Sequence, residues 1–222
     1  MKGLLVKILY LKKFSKLKRA AAILLAAGES SRMKTIKALL PWCHTNLLGY
    51  SVDSIIKAGY SPLVVVLGYE ATRLKPHIPI SATTVVNKDY LTGKSSSIIK
   101  GIKTLESLSL NLDSVLITSV DQPRSVELLS ALREAMQNST EGTLIASPIS
   151  KGRIGHPTIF NSSLQKELLE ISEESKGVRS IVSRHQDKRL LVSTNDPLAL
   201  TNLNTLSDYQ ATLHSMNPEF IE

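Results

Sequence analysis

The sequence predicts an α/β protein, a doubly wound three-layer sandwich around a mostly parallel sheet. Two observations predict it. Short β-rich runs alternate with helix-period segments along the chain, and the strongest runs, "PLVVVLG" and "SVLITSV", lack any polar alternation. A strand buried on both faces of a parallel sheet needs that pattern. With 222 residues, 42% of them apolar, the chain can bury a substantial single core.

The elements follow in order. Residues 20–26, AAAILLA, form the first strand. Residues 47–58 place Leu48, Val52, Ile55 and Ile56 on one helical face. Strands are expected at 62–67 and 83–86, with the loop "KPHIPIS" between them. The next helix carries Ile98, Ile99 and Ile102, and Ser95, Ser96 and Ser97 stand where they can cap its first N–H groups. A strand at 114–120 leads to a helix through Leu128, Leu129, Leu132 and Met136. Strands at 143–147, 158–160 and 189–192 complete the sheet, with "SPISKGRIGHP" as a long loop. No repeat or linker interrupts residues 20–222, so one domain is expected there, preceded by a basic extension at 1–19.

The charge distribution decides what the basicity means. Of a formal net charge of +8, residues 1–19 supply seven cations and no acid, leaving the body nearly neutral. A nucleic-acid binder would carry its cations on the folded body, so that class is disfavoured. The extension suits either a surface-seeking amphipathic helix or a frayed terminus, and its lysines break up the apolar core a signal peptide requires. No apolar run reaches membrane-spanning length. The single Cys43 cannot form an internal disulfide, which suits a reducing, cytoplasmic setting, and without export the sequons at Asn138 and Asn161 carry no weight.

In such sheets ligands bind at the carboxyl ends of the strands. The loop there after the first strand lies within "LLAAGESSRMKTIKALLPW". Small residues let the backbone approach a ligand, free N–H groups attract anions, and Arg32 and Lys37 add positive charge, so the loop suits a polyphosphate. It satisfies neither the three-glycine dinucleotide fingerprint, having only Gly28, nor the Walker pattern. Gly93, Lys94 and Ser95 imitate the end of the latter, but its first glycine would fall on Lys88. An ordinary solvated turn is the competing reading of the opening loop.

The stretch "LLAAGESSRM", with its following lysine and "LLPW", resembles the signature L-A-A-G-x-S-x-R-M-G-x-x-K of the molybdenum cofactor nucleotidyltransferases. The resemblance continues in order through "VVNKDYLTGKSSSIIKGI", "VDQP", "GRIGHPTIF" and "NLNTLSDY". A-A-G with G-H-P is most similar to the cytidylyltransferase branch. The resemblance implies a Rossmann-like nucleotidyltransferase fold and transfer of CMP from CTP to the phosphate of molybdenum-bearing molybdopterin, releasing pyrophosphate. It implies Arg32, Lys37 and Asp121 as catalytic residues, and Ala26, Ala27, Gly28, Ser30, Ser31, Asn87 and Ser96 as the nucleotide site. Gly155 and His156 would bind the second substrate. Mg²⁺ would sit on Asp121 and Asn204, and a recipient molybdoenzyme or its chaperone would take the product.

Two departures stand out. The glycine after R-M is Lys34, and the distal motif D-I-D-T-P-E-D is replaced by residues 202–208, in which Asn202 and Asn204 stand for acids. A neutral amide oxygen in place of a carboxylate predicts weaker metal affinity. The competing readings are an enzyme of this fold that uses GTP or another phosphate acceptor, and a nucleotide-binding protein without catalysis.

Overall fold

A computed structural model of the chain describes residues 19–33 and 35–216, and for Arg32 only the backbone. The basic extension therefore falls almost wholly outside the described residues, as does Lys34.

The first strand, β1 (Ala20–Ala26), is buried along its whole length. Ala20, Ala22, Leu24 and Ala26 face one hydrophobic cluster and Ala21, Ile23 and Leu25 the other, the period-2 division of a central strand between two cores. β2 (Pro41–Trp42) and β3 (Thr45–Asn46) form a small separate hairpin. Helix α1 (Leu47–Lys57) follows, capped by Asn46, whose side chain accepts from Gly49 N–H at 2.8 Å. β4 (Leu63–Leu67), the short α2 (Ala71–Leu74), β5 (Thr83–Val86), α3 (Lys94–Ser107) and β6 (Ser114–Ser119) continue the alternation. α4 (Val126–Asn138) is capped by Ser125, which accepts from Leu128 N–H. The chain then runs through β7 (Ile145–Ser150), β8 (Arg153–Ile154), β9 (Thr158–Asn161), α5 (Gln165–Leu169), α6 (Val178–Arg184), β10 (Arg189–Ser193) and α7 (Leu206–Met216).

The main sheet has the order β10-β7-β9-β6-β1-β4-β5, with β8 paired to β7. β1 is parallel to β4 and β6, β4 to β5, and β7 to β10, whereas β9 runs antiparallel to both its neighbours. Helices α1 and α4 pack on one face, and α3, α5 and α6 on the other. This is the expected mostly parallel three-layer architecture, and the antiparallel β9 turns the start of its strand toward the carboxyl ends of the others.

Three expectations are corrected. The strand expected at 143–147 is Ile145–Ser150, and its continuation through β8 makes a hairpin of the stretch expected as loop. Pro148 obscures the strand in the sequence, yet it lies inside β7 in register with Val192 of β10, and its carbonyl accepts from Gly155 N–H. The three serines do not cap α3: its cap is Gly93, with no side-chain bond. Among the described residues, no helix is long and apolar enough to cross a membrane.

Candidate active site

The carboxyl ends of β1 and β6 lie side by side, because Leu24 pairs with Thr118 and Leu25 with Ser119. That register brings two loops to one cleft of about 290 Å³, the signature loop after β1 and the turn at Asp121 after β6. Ala26, Ala27, Gly28, Ser30 and Ser31 line one side, and Lys37, Asp121 and Asn204 also face the cleft. Eight of the sequence-predicted residues therefore meet in one place.

The signature loop is held by its backbone. Ala27 O accepts from Tyr69 N–H at 3.0 Å, and Ser30 O accepts from Met33 N–H at 2.8 Å, closing a single turn of 3₁₀ helix at Ser31–Met33. Ser30 has φ of 54°, the left-handed conformation that non-glycine residues rarely adopt. A methyl built on Gly28 meets nothing within 4 Å, so the backbone there stands open to a ligand. The Arg32 guanidinium lies outside the described structure.

Lys37 is 7% exposed, a rare degree of burial for lysine, and its Nζ stands 3.7 Å from Asp121 Oδ2. The other carboxylate oxygen, Asp121 Oδ1, is buried without a hydrogen-bond partner among the described residues. An orphaned carboxylate oxygen is costly unless something positive meets it. Asn204 brings an amide to the same cleft, and no cluster of three or more acids, histidines or cysteines occurs among the described residues. One carboxylate and one amide oxygen fit a hard cation that takes its remaining ligands from water and phosphate oxygens, as Mg²⁺ does.

The distal segment is tied to this site directly. Leu203 N–H donates to Asp121 O at 2.8 Å. Thr205 and Asp208 then start α7 as a reciprocal pair: Asp208 Oδ2 accepts from Thr205 N–H at 2.8 Å, and Thr205 Oγ1 accepts from Asp208 N–H at 3.1 Å. Those bonds, with the nearby Lys37 charge, hold the Asp208 carboxyl below its ordinary range.

Asn87 and Ser96 are placed differently from the rest. Asn87 is buried, and its Nδ2 donates to Ser96 Oγ at 2.9 Å and Ser97 Oγ at 3.0 Å, while its Oδ1 accepts from Asp89 N–H. Asn87 thus braces the segment that enters α3. From that segment Gly93, Lys94 and Ser97 line the cleft. Lys94 carried a signal in the sequence, as the lysine of the failed Walker pattern; Ser97 differs from Ser96 only by the helical turn.

Gly155 and His156 lie just before β9 and are not among the residues that line the cleft. Gly155 N–H donates to Pro148 O at 2.9 Å, and a methyl on Gly155 would stand 2.3 Å from Ala199 O, so only glycine fits. His156 keeps an open surface, yet crowding by the surrounding chain pushes its pKa down to about 4, aided by the charges of Arg124, Lys94, Arg179 and Arg189. The ring is a neutral imidazole at physiological pH.

Two contributors carried no signal in the sequence. Arg124 is buried beneath the Asp121 turn and bonds to His156 O at 2.7 Å. Glu173 supplies the bond to the start of α3 that the serines do not: its Oε1 accepts from Ser95 N–H at 2.7 Å, across the bare Gly93.

The geometry thus joins an anion-attracting loop, a buried lysine and a half-satisfied carboxylate at the end of a parallel sheet. Comparison with known proteins agrees. Residues 22–190 match the MobA-like NTP transferase domain. The chain is 29% identical over 195 residues to a probable molybdenum cofactor guanylyltransferase of Rhodopirellula baltica, covering 84% of this chain and 88% of that one. It is 25% identical over 141 residues to the molybdenum cofactor cytidylyltransferase of Escherichia coli, covering 63% of this chain and 68% of that one. It also matches bifunctional GlmU proteins, but spans only 15% of the one from Symbiobacterium thermophilum (39% identity) and 36% of the one from Geobacillus sp. (24%). Among solved structures, Rv0371c of Mycobacterium tuberculosis superimposes with a TM-score of 0.76 at 22% identity, over 89% of this chain and 98% of that one. With the family model covering most of the folded body, the chain belongs to the MobA-like NTP transferase domain family.

Proposed function

We propose that the protein transfers CMP from CTP to the phosphate of molybdenum-bearing molybdopterin and releases pyrophosphate. The observation that carries this reading is the Lys37–Asp121 pair at 3.7 Å in the cleft floor, with Asp121 Oδ1 left unsatisfied beside the signature loop. Relatives named for guanylyl and cytidylyl transfer to this cofactor support the acceptor, and A-A-G at residues 26–28 supports the cytidine branch.

In this reading an oxygen of the acceptor phosphate attacks the α-phosphorus of CTP, and the bond from that phosphorus to the β-phosphate oxygen breaks. The chain supplies alignment and charge rather than a covalent intermediate. Backbone N–H groups of residues 28–31, with Arg32, hold the β- and γ-phosphates. Lys37 stabilises the α-phosphate as charge builds on its oxygens. Asp121 and Asn204 would hold Mg²⁺, which when bound neutralises phosphate charge. His156 and Gly155 border the acceptor. The neutral ring can hydrogen-bond a phosphate, and no general base is required when the attacking phosphate is already ionised. The product passes to a recipient molybdoenzyme or its chaperone, and we place the reaction in the cytoplasm.

The test is pyrophosphate release by the purified protein with Mg²⁺ and molybdenum-bearing molybdopterin, offered CTP, GTP and ATP in parallel. Release with CTP that disappears in Asp121→Ala supports the proposal. Preference for GTP moves the chain to the guanylyl branch, which the relative from Rhodopirellula baltica makes the leading alternative. Release only with a sugar phosphate or methylerythritol phosphate overturns the acceptor. Nucleotide binding without release overturns catalysis.

A further inference from the structure

The Arg124 side chain is 3% exposed and donates to four backbone carbonyls. Nε bonds to His156 O at 2.7 Å, Nη1 to Pro123 O at 2.7 Å and to Leu198 O at 2.6 Å, and Nη2 to Thr201 O at 3.0 Å. No carboxylate lies within ion-pairing distance of this guanidinium among the described residues. Carbonyl dipoles meet the guanidinium directly, and the charges of Asp196 and Asp121 act on it from beyond ion-pairing distance.

Each tether lands beside a residue of the site. Pro123 follows Asp121 by two positions, and Asp121 O is itself bonded by Leu203 N–H at 2.8 Å. Thr201 and Leu198 anchor the strand exit that leads to Asn204, and Ala199 between them is the residue against which Gly155 packs. His156 is held by its own carbonyl. Three loops, following β6, preceding β9 and following β10, therefore close around one buried cation.

We infer that Arg124 is a positioning residue that sets the metal-binding carboxylate of Asp121, the amide of Asn204 and the His156 loop relative to one another. The inference rests on reading Asp121 and Asn204 as the metal ligands. Arginine is required by geometry: its planar fork directs five N–H groups outward, whereas lysine presents three donors around one nitrogen and cannot span carbonyls on opposite sides.

The test is Arg124→Lys, read by Mn²⁺ titration of the CTP-bound protein, with free Mn²⁺ followed by its paramagnetic resonance signal. CTP affinity in metal-free buffer and thermal unfolding are measured alongside. Loss of an outer-shell partner weakens metal binding by about 10- to 100-fold. The expected result is a loss of that size in Mn²⁺ affinity, with metal-free CTP affinity changed less than about twofold in a protein still folded at the assay temperature. Unchanged Mn²⁺ affinity, or equal losses of metal and nucleotide, overturns the role. Should Arg124→Lys fail to fold, Gly155→Ala, which keeps the guanidinium but drives the His156 loop and its carbonyl off Ala199, must give the same split; without it the role falls. A wild type that binds CTP but no Mn²⁺ overturns the metal reading and this role with it, whereas intact binding of both in wild type and variants overturns the role of Arg124 alone.

Discussion

Lys37 Nζ stands 3.7 Å from Asp121 Oδ2, and the two residues arrive there from the segments that follow two adjacent parallel strands, β1 and β6. Lys37 begins the short turn Lys37–Leu39, and Asp121 stands in the turn two residues after β6. At 3.7 Å the pair is a loose ion pair rather than a closed hydrogen bond. Methionine at position 37 keeps the buried stem and removes the charge. Since the proposed contact strengthens as charge builds on the α-phosphate, Lys37→Met should lower turnover by about 10²- to 10³-fold. Nucleotide affinity should change by less than about tenfold. Pyrophosphate release and equilibrium CTP binding, measured on the same preparation, check this, and equal losses in both would contradict it.

Asn204 is the departure whose consequence is most direct. It faces the cleft with Asp121, where an acid would add a second negative charge. Asn204→Asp should therefore lower the Mg²⁺ concentration for half-maximal pyrophosphate release several-fold, because carboxylate count tunes affinity for hard cations. A titration of rate against Mg²⁺ for both proteins decides it. An unchanged midpoint would remove Asn204 from the metal shell.

How far the sequence revealed this site depends on how local each device is. β1 was readable to its limits, because seven consecutive apolar residues buried on both faces leave no alternative register. The signature loop and Asp121 were readable because each follows such a strand. β7 was cut short at its end, expected at 147 and found at Ser150, since Pro148 and the following Lys-Gly turn look like loop while the pairing with β10 overrides them. Arg124 was invisible for a different reason: three of its four acceptors lie 32 to 77 residues away, so nothing near it in sequence marks it as buried. The serines entering α3 illustrate the same limit. Their local capping chemistry was plausible, but Glu173, 78 residues from Ser95, takes the helix start instead.

That bond gives a stability prediction. Glu173→Ala leaves Ser95 N–H without its carboxylate and should cost about 1 kcal/mol, the usual worth of a helix N-terminal acceptor. The Ser95 N–H also holds the Glu173 carboxyl below its ordinary range. A depressed folded pKa means the contribution is present above the unfolded carboxylate value and fades as pH falls through the folded one. The difference in chemical-denaturation midpoint between wild type and Glu173→Ala should accordingly be full at pH 7 and shrink toward pH 3. A constant difference would place the loss in packing rather than in the charge.

His156 titrates with the opposite chemistry but the same direction of pH dependence. Its pKa falls from 6.5 to about 4, first because the surrounding chain desolvates the ring, then because Arg124, Lys94, Arg179 and Arg189 repel an imidazolium. Between these two values the unfolded chain binds the proton and the folded chain does not, so stability rises with pH across the window. The contribution is fully present above about pH 6.5 and is lost as pH falls toward 4. Replacing His156 by asparagine removes the titration while keeping a polar side chain. Acidification from pH 7 to pH 4.5 should therefore lower the thermal midpoint of the wild type more than that of His156→Asn. The imidazole resonances of His156 in a nuclear magnetic resonance titration should also show no protonation near pH 6.5. Protonation at that pH would mean that the four cations are screened from the ring. The loop would then meet an acceptor phosphate with a charged histidine instead of a neutral one, and binding would strengthen as pH fell through 6.5.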